Sequence, residues 1–419
     1  MTPKDSDRDP KELYQERVER IADTVALKET DRVPYIYLTR FWNAKLADMT
    51  SKDTMYDVEK SISSNRKAIE LLQPDAFGAA NYAYGQALEK LDYHPLEWPG
   101  GGAAADDVCF QYIDKELMVP DEYDEYLFDP TAFYLQKYLP RIATGFEGLK
   151  HFPNFPTLSE WNIIYNLRAF ANPELQESFK TLMEVGEMVD HSMTKMTEFI
   201  KEMMEAGYPM AIGGFCKAPY DHIVDFLRGS KGGMLDMFRH KDKLLETIDK
   251  ARLLLNTNVV EGAKLVGCPY VFIPLHWGLD GFMSPDQFNE FYWPSLRQTI
   301  HDLIDAEMTP VILWEGDCTT RLEFIGDIPP GKAIYWFERT DLHTTKDVLG
   351  DVVCLRGNVP PSLLNTGTVD EVNAYCKDLI EYVGKGGGFI LDGAASITDE
   401  APIENIVAMA ESVRKYANK

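Results

Sequence analysis

An α/β fold built on a parallel sheet, either a barrel or a doubly wound sheet, is what the sequence predicts, and three observations lead there. The first is the run Val311-Ile312-Leu313-Trp314, of strand length and wholly apolar, which stops at Glu315-Gly316-Asp317. A buried parallel strand that delivers acids to the mouth of a barrel has this form. The second is that the same punctuation recurs. Met210-Ala211-Ile212-Gly213-Gly214-Phe215 ends at Cys216 and Tyr270-Val271-Phe272-Ile273-Pro274-Leu275 ends at His276. The segment 333–337 ends at Glu338, 351–355 ends at Arg356-Gly357-Asn358, and Gly388-Phe389-Ile390-Leu391 ends at Asp392-Gly393. The third is alternation: these strands alternate with helical periods at 242–265, 285–305, 369–383 and 402–416, as crossover connections require. Each polar terminus is then expected on one rim.

The elements follow in order. The first nine residues are polar and expected to fray. Residues 33–38 and 75–79 read as strands around a helical period at 56–72. The loop Trp98-Pro99-Gly100-Gly101-Gly102 and the acidic tract 120–129 read as insertions that cover something. Residues 174–206 read as one long helix or two abutting ones, because Phe179, Leu182, Met183, Val189 and Met193 recur at helical spacing. No GxGxxG follows the first strand, which disfavours a dinucleotide fold. Gly384-Lys385-Gly386-Gly387-Gly388 lacks the ending of a phosphate-binding loop and reads as a turn.

Composition excludes several classes of function. A chain of 419 residues with 45% hydrophobic and 26% charged residues can bury one large core. Its formal charge of -25 disfavours nucleic acid and anionic membranes as partners. Six scattered cysteines without a CxxC pair argue against a disulfide framework, and no apolar run approaches membrane-spanning length. A cytoplasmic enzyme is the expectation.

The candidate chemistry gathers at strand ends. Glu315 and Asp317 can bind a divalent cation or do acid/base work; alternatively Asp317 caps a helix beginning near Thr319. His276, ahead of Trp277-Gly278, can ligate metal, bind a carboxylate or donate to a substrate oxygen. In Tyr220-Asp221-His222 with Asp225 and Arg228, part of the cluster is expected to pair internally, Asp225 with Arg228 being one i,i+3 option. Cys216 and Cys318 stand where thiolate ligands could be, although buried small hydrophobes are the plainer reading. Aromatics near these ends, among them Phe41, Trp42, Tyr82, Phe215, Trp277, Phe282, Trp314 and Trp336, are either core or the lining of an aromatic pocket.

Leu355-Arg356-Gly357-Asn358-Val359-Pro360-Pro361-Ser362-Leu363-Leu364, with Gly367-Thr368, Gly386-Gly387-Gly388-Phe389-Ile390-Leu391 and Ala401-Pro402-Ile403-Glu404-Asn405, resembles the uroporphyrinogen decarboxylase superfamily. The likeness extends more loosely over residues 32–418. It implies a (β/α)8 TIM barrel with its cleft at the strand C-termini. The expected layout is an N-terminal helical extension over 1–30 and a single barrel over 31–419, with helical and loop insertions at about 82–172.

True decarboxylases of this family carry an arginine-rich RQAGR motif after the first strand. Here that place reads Tyr37-Leu38-Thr39-Arg40-Phe41-Trp42-Asn43, with one arginine for a substrate of many carboxylates. The other branch comprises cobalamin-dependent methyltransferases, whose coenzyme M-methylating members hold zinc by His-x-Cys and a later Cys. Leu313, Glu315 and Ala394 stand in those places, and a carboxylate suits oxygen chemistry better than thiol chemistry. The resemblance therefore implies a methyltransferase that removes methyl from a methoxylated aromatic and passes it to the cobalt(I) of a partner corrinoid protein. A decarboxylase of a carboxylated substrate and a non-catalytic ligand- or corrinoid-protein-binding member are the alternatives.

On this reading Glu315, Asp317, His276 and His222 are the catalytic candidates, and Glu315, Asp317 and His276 the ligands of one divalent ion, zinc. Arg40, Trp42, Phe215, Tyr220, Trp277, Trp336, Asn358 and Asp392 are the substrate-binding candidates. The resemblance also suggests a homodimer that leaves the barrel mouth open, with 82–107 and 118–139 as its walls or lid.

Overall fold

Eight parallel strands form a ring among the described residues of the structure, a computed structural model that describes residues 8–78, 83–101, 105–159, 161–255 and 258–417. In chain order they are β1 (Ile36–Tyr37), β2 (Ala76–Phe77), β3 (Gly214–Phe215), β4 (Tyr270–Leu275), β5 (Thr309–Trp314), β6 (Ile334–Phe337), β7 (Cys354–Val359) and β8 (Phe389–Gly393). Strands β3 to β8 pair in sequence order and β1 pairs with β2. Parallel bridges Phe77↔Met210 and Tyr35↔Leu391 join the two sets. The barrel is thereby closed, and helices such as Trp293–Asp305, Val369–Tyr382 and Ile403–Lys415 cover its outside.

Period-two alternation sorts the strand side chains. Ile36, Ala76, Ala211, Val311, Ile334, Cys354 and Ile390 fill the barrel interior, capped by Ile21 and Val25 of the N-terminal helix Pro10–Val25. Val271, Ile273, Leu275, Ile312, Trp314, Tyr335 and Phe337 face outward into the cluster shared with the helices. Because Leu275, Trp314 and Phe337 all face outward and pair in register, the residues that follow them turn inward at one level. These are His276, Glu315 and Glu338.

Helix boundaries match the sequence reading closely. The 174–206 segment is one helix of 33 residues, Pro173–Glu205, with Asn172 capping its first turn. The 242–265 segment is two helices, Lys241–Leu255 and Val259–Val266. Two strand ends required correction. The seventh strand runs over Cys354–Val359 and the eighth over Phe389–Gly393, so Arg356, Asn358 and Asp392 lie within strands and are buried. An apolar run is a poor guide to a strand end when its polar residues are paired with each other inside the sheet.

The insertion is structured. Residues 96–97 and 111–112 form a short antiparallel hairpin, and Phe110 beside it packs edge-on against Phe41. Residues 118–139 form short helical segments whose Tyr123, Tyr126 and Phe133 join the main core. Their backbone anchors to the turn at 224–228 through Leu117 and Met118 N–H bonds to the Leu227 carbonyl. Tyr82 and Gly102, named in the sequence reading, lie outside the described residues. Among the described residues no helix is long and apolar enough to cross a membrane.

Candidate functional site

The centre of the barrel mouth is built by β4, β5 and β6, each contributing the first residue beyond its strand. His276 Nδ1 lies 2.6 Å from Asp225 Oδ2, and His276 Nε2 lies 3.8 Å from Glu315 Oε1. That second distance is beyond hydrogen-bond reach, so the Nε2 proton is not spent on the protein. Glu338 accepts from the Gly316 N–H at 2.5 Å. Gly316 has φ +82°, and a Cβ there would meet Leu279 Cδ1 at 2.8 Å. Glycine is required for the turn that separates Glu315, pointing into the barrel, from Asp317, pointing away.

The helix Pro219–Ile223 and the turn Val224–Arg228 supply the second layer. Asp221 accepts from the His276 N–H at 2.8 Å, the Trp277 N–H at 3.3 Å and the Tyr292 hydroxyl at 2.8 Å. It is buried and holds the loop that carries His276. Asp225 divides its oxygens between His276 Nδ1 and Trp277 Nε1, the latter at 2.7 Å. Two acids one helical turn apart thus fix both the backbone and the ring of one histidine.

Electrostatics follow from this arrangement. Burial alone would lower the His276 pKa, but the hydrogen bond to Asp225 and the charges of Asp221, Asp225 and Glu315 together push it up to about 9. At neutral pH it is an imidazolium with both ring nitrogens protonated, Nδ1 donating to Asp225. Burial, reinforced by the Glu338 charge, raises the Glu315 carboxyl above its usual range against the opposing pull of His276. Burial likewise raises Asp221. The arrangement can give a proton, or a strong charge-assisted hydrogen bond, to an oxygen placed at His276 Nε2.

Several expected residues belong elsewhere. Asp317 is exposed and its Oδ1 accepts from Thr319 N and Oγ1 at 3.0 and 2.6 Å, a local turn. His222 is buried, its Nε2 held at 2.8 Å by Tyr134; burial and the nearby Lys217 charge depress it to about 3. A neutral, engaged imidazole is no acid at neutral pH. Trp42 and Trp336 are buried with their indole N–H groups on the carbonyls of Ala401 and Gly393. Tyr220 is buried and donates to the Gly233 carbonyl. Asp392 receives Arg356 Nε and Nη2 at 2.9 and 2.7 Å between neighbouring strands. These four side chains are buried, with their polar atoms engaged within the protein.

The remainder stay at the mouth. Trp277 is half-buried against Phe282, with ring centroids 5.0 Å apart, and Phe215 is 52% exposed beside Phe272. Arg40 is exposed, lies over Phe110 and acts electrostatically on Glu315. Asn358 donates to the Thr340 carbonyl and accepts from Tyr375. Together with Glu338, Arg339, His343 and Tyr375 it lines a cavity of about 560 Å³ beside the mouth.

The zinc ligand set does not assemble. Asp317 is exposed and turned to Thr319, and His276 Nδ1 is taken by Asp225. Among the described residues no three His, Cys, Asp or Glu side chains gather to hold a metal ion. Burial pushes the Cys216 thiol up to about 12 and raises Cys318 further, so neither is a thiolate.

The sequence reading missed the roles of Asp221, Asp225 and Tyr292. It offered Asp225 with Arg228 as one pairing, but Arg228 is taken by Asp236 and Glu116. The spacing of Asp221 and Asp225, four apart on a helix after β3, was the available signal.

A family model described as uroporphyrinogen decarboxylase (URO-D) matches residues 168–416. A uroporphyrinogen decarboxylase from Legionella pneumophila (strain Philadelphia 1) is 24% identical over 253 residues, 58% of this chain and 66% of that protein. One from Coxiella burnetii (strain Dugway 5J108-111) is 24% identical over 169 residues, 39% of this chain and 44% of that protein. The match thus spans less than half of the Coxiella relative's length. A methyltransferase from Methanosarcina mazei superposes over 96% of this chain and 98% of its own, with TM-score 0.60 at 15% identity. The likeness in fold therefore covers nearly the whole chain.

Proposed function

The chain belongs to the uroporphyrinogen decarboxylase family, and from that premise we propose that it is a corrinoid-protein-dependent methyltransferase that demethylates a methoxylated aromatic compound. The observation that carries this reading is the placement of His276, its Nδ1 held by Asp225 and its Nε2 beside Glu315, among acids that push its pKa up to about 9. Nucleophilic attack on the methyl carbon breaks the carbon–oxygen bond and leaves the electron pair on oxygen. That oxygen needs a proton, and His276 Nε2 supplies it while Asp225 stabilises the ring before and after transfer. Glu315, its pKa raised, orients the leaving oxygen beside His276.

The charge of the mouth supports methyl transfer over decarboxylation. Asp225, Glu315 and Glu338 line it, with Asp221 buried behind them, against His276, Arg40 and Lys217. Such a site offers too few cations for a substrate with many carboxylates. Phe215, Trp277 and Phe282 offer an apolar surface to an aromatic ring. The methyl acceptor is the cobalt(I) corrinoid of a partner protein, which approaches as a second substrate over the open rim.

Anaerobic incubation of the purified protein with reduced corrinoid protein and a panel of methoxyaromatics tests the proposal. Methyl-cobalt formation is expected. Loss of carbon dioxide from a porphyrinogen without any corrinoid partner would support the decarboxylase reading instead.

A further inference from the structure

Lys217 stands two residues beyond β3 and within electrostatic reach of Asp225. Its Nζ lies 3.1 Å from the centroid of the Phe226 ring. It donates to no oxygen and forms no ion pair among the described residues. Asp225 acts on it only through space, since both Asp225 oxygens are taken by His276 and Trp277. A half-buried ammonium without a counter-ion is costly, and the aromatic face beneath it recovers only part of that cost. The aromatic Phe226 and the exposed Phe215 lie on either side of it in the chain.

Resting on the methyltransferase reading above, we propose that Lys217 binds an anionic substituent, a carboxylate, on the aromatic methyl donor. The donor would lay its ring against the aromatic surface of Phe215 and turn its ether oxygen to His276. A single ammonium suits one carboxylate, which the acidic mouth would otherwise repel. It does not suit a substrate with many. Lys217 is in this sense a specificity residue that selects methoxylated aromatic acids over neutral methoxyaromatics.

Binding of two probes tests this without any methyl transfer: 4-methoxybenzoate and the neutral 4-methoxybenzamide, titrated calorimetrically into the wild type, Lys217→Met and Lys217→Arg. The wild type is expected to bind the acid roughly tenfold tighter than the amide at pH 7. The preference should fade above pH about 8, where burial has brought the Lys217 amine. Lys217→Met should lose it and Lys217→Arg should keep it, with thermal melts showing that both are folded. Equal preference in wild type and Lys217→Met, tighter binding of the amide by the wild type, or no binding of either probe would overturn the assignment. If the preference holds but no donor yields methyl-cobalt, the functional reading fails and the carboxylate site stands.

Discussion

Replacing Asp225 with Asn perturbs the site's central charge pair with little change in shape. His276 is raised from the ordinary 6.5 to about 9, a gap of about 2.5 (9 − 6.5). At ~1.4 kcal/mol per pH unit the gross value is about 3.5 kcal/mol. The His276 side chain is 39% exposed, so solvent screening leaves about half or less of it. Asp221 and Glu315 share the effect with Asp225. Asp225→Asn should therefore lower the His276 pKa by about one pH unit and cost about 1 kcal/mol of stability at neutral pH. The sign is fixed by linkage: a raised histidine contributes stability that is complete below pH 6.5 and is lost as pH rises through about 9. Nitrogen-detected NMR of the imidazole, with urea melts at pH 6 and pH 9.5, measures both quantities. A native His276 that titrates at or below 6.5, or an Asp225→Asn variant that titrates where the wild type does, would refute the reasoning.

Three further outcomes follow from the geometry. Glu315→Gln should retain binding of a methoxyaromatic ligand while slowing methyl transfer by roughly tenfold or more, read as kcat against Kd. Asp317→Ala should cost about 0.5–1 kcal/mol in urea denaturation through loss of the turn at Thr319, with turnover unchanged; a collapse of activity would return Asp317 to the site. Arg356→Met should destabilise by about 3–5 kcal/mol, because it leaves Asp392 buried and unpaired, and a melting temperature within a degree of the wild type would contradict that pairing.

The barrel was legible in the sequence where strands are apolar and end once. The run Tyr270-Val271-Phe272-Ile273-Pro274-Leu275 is β4 without change, and His276 is on the rim as its position implied. Legibility failed where a polar pair is internal to the sheet. Arg356 and Asp392 neutralise each other between β7 and β8, so residues that looked like strand ends lie in strand interiors. Local spacing also misled. Asp225 and Arg228 are at pairing distance along a helix, yet Arg228 finds Asp236 on the next helix and Glu116 from the insertion. Only that remote capture frees Asp225 for His276. Aromatic residues were the least readable: Trp42 and Trp336 look like pocket lining in sequence, and the backbone carbonyls that bury their indoles come from distant segments.

The central claim is that a protonated His276 delivers the proton to the leaving oxygen during methyl transfer. Its most direct measurement is the pH profile of single-turnover methyl-cobalt formation from a methoxyaromatic donor, compared between wild type and His276→Gln. The account predicts a wild-type rate that is flat through neutral pH and falls about tenfold per pH unit above about 9, with His276→Gln slower by at least ~10² and without that break. A wild-type rate that rises through pH 9, or a His276→Gln variant with the same profile and rate, would contradict it.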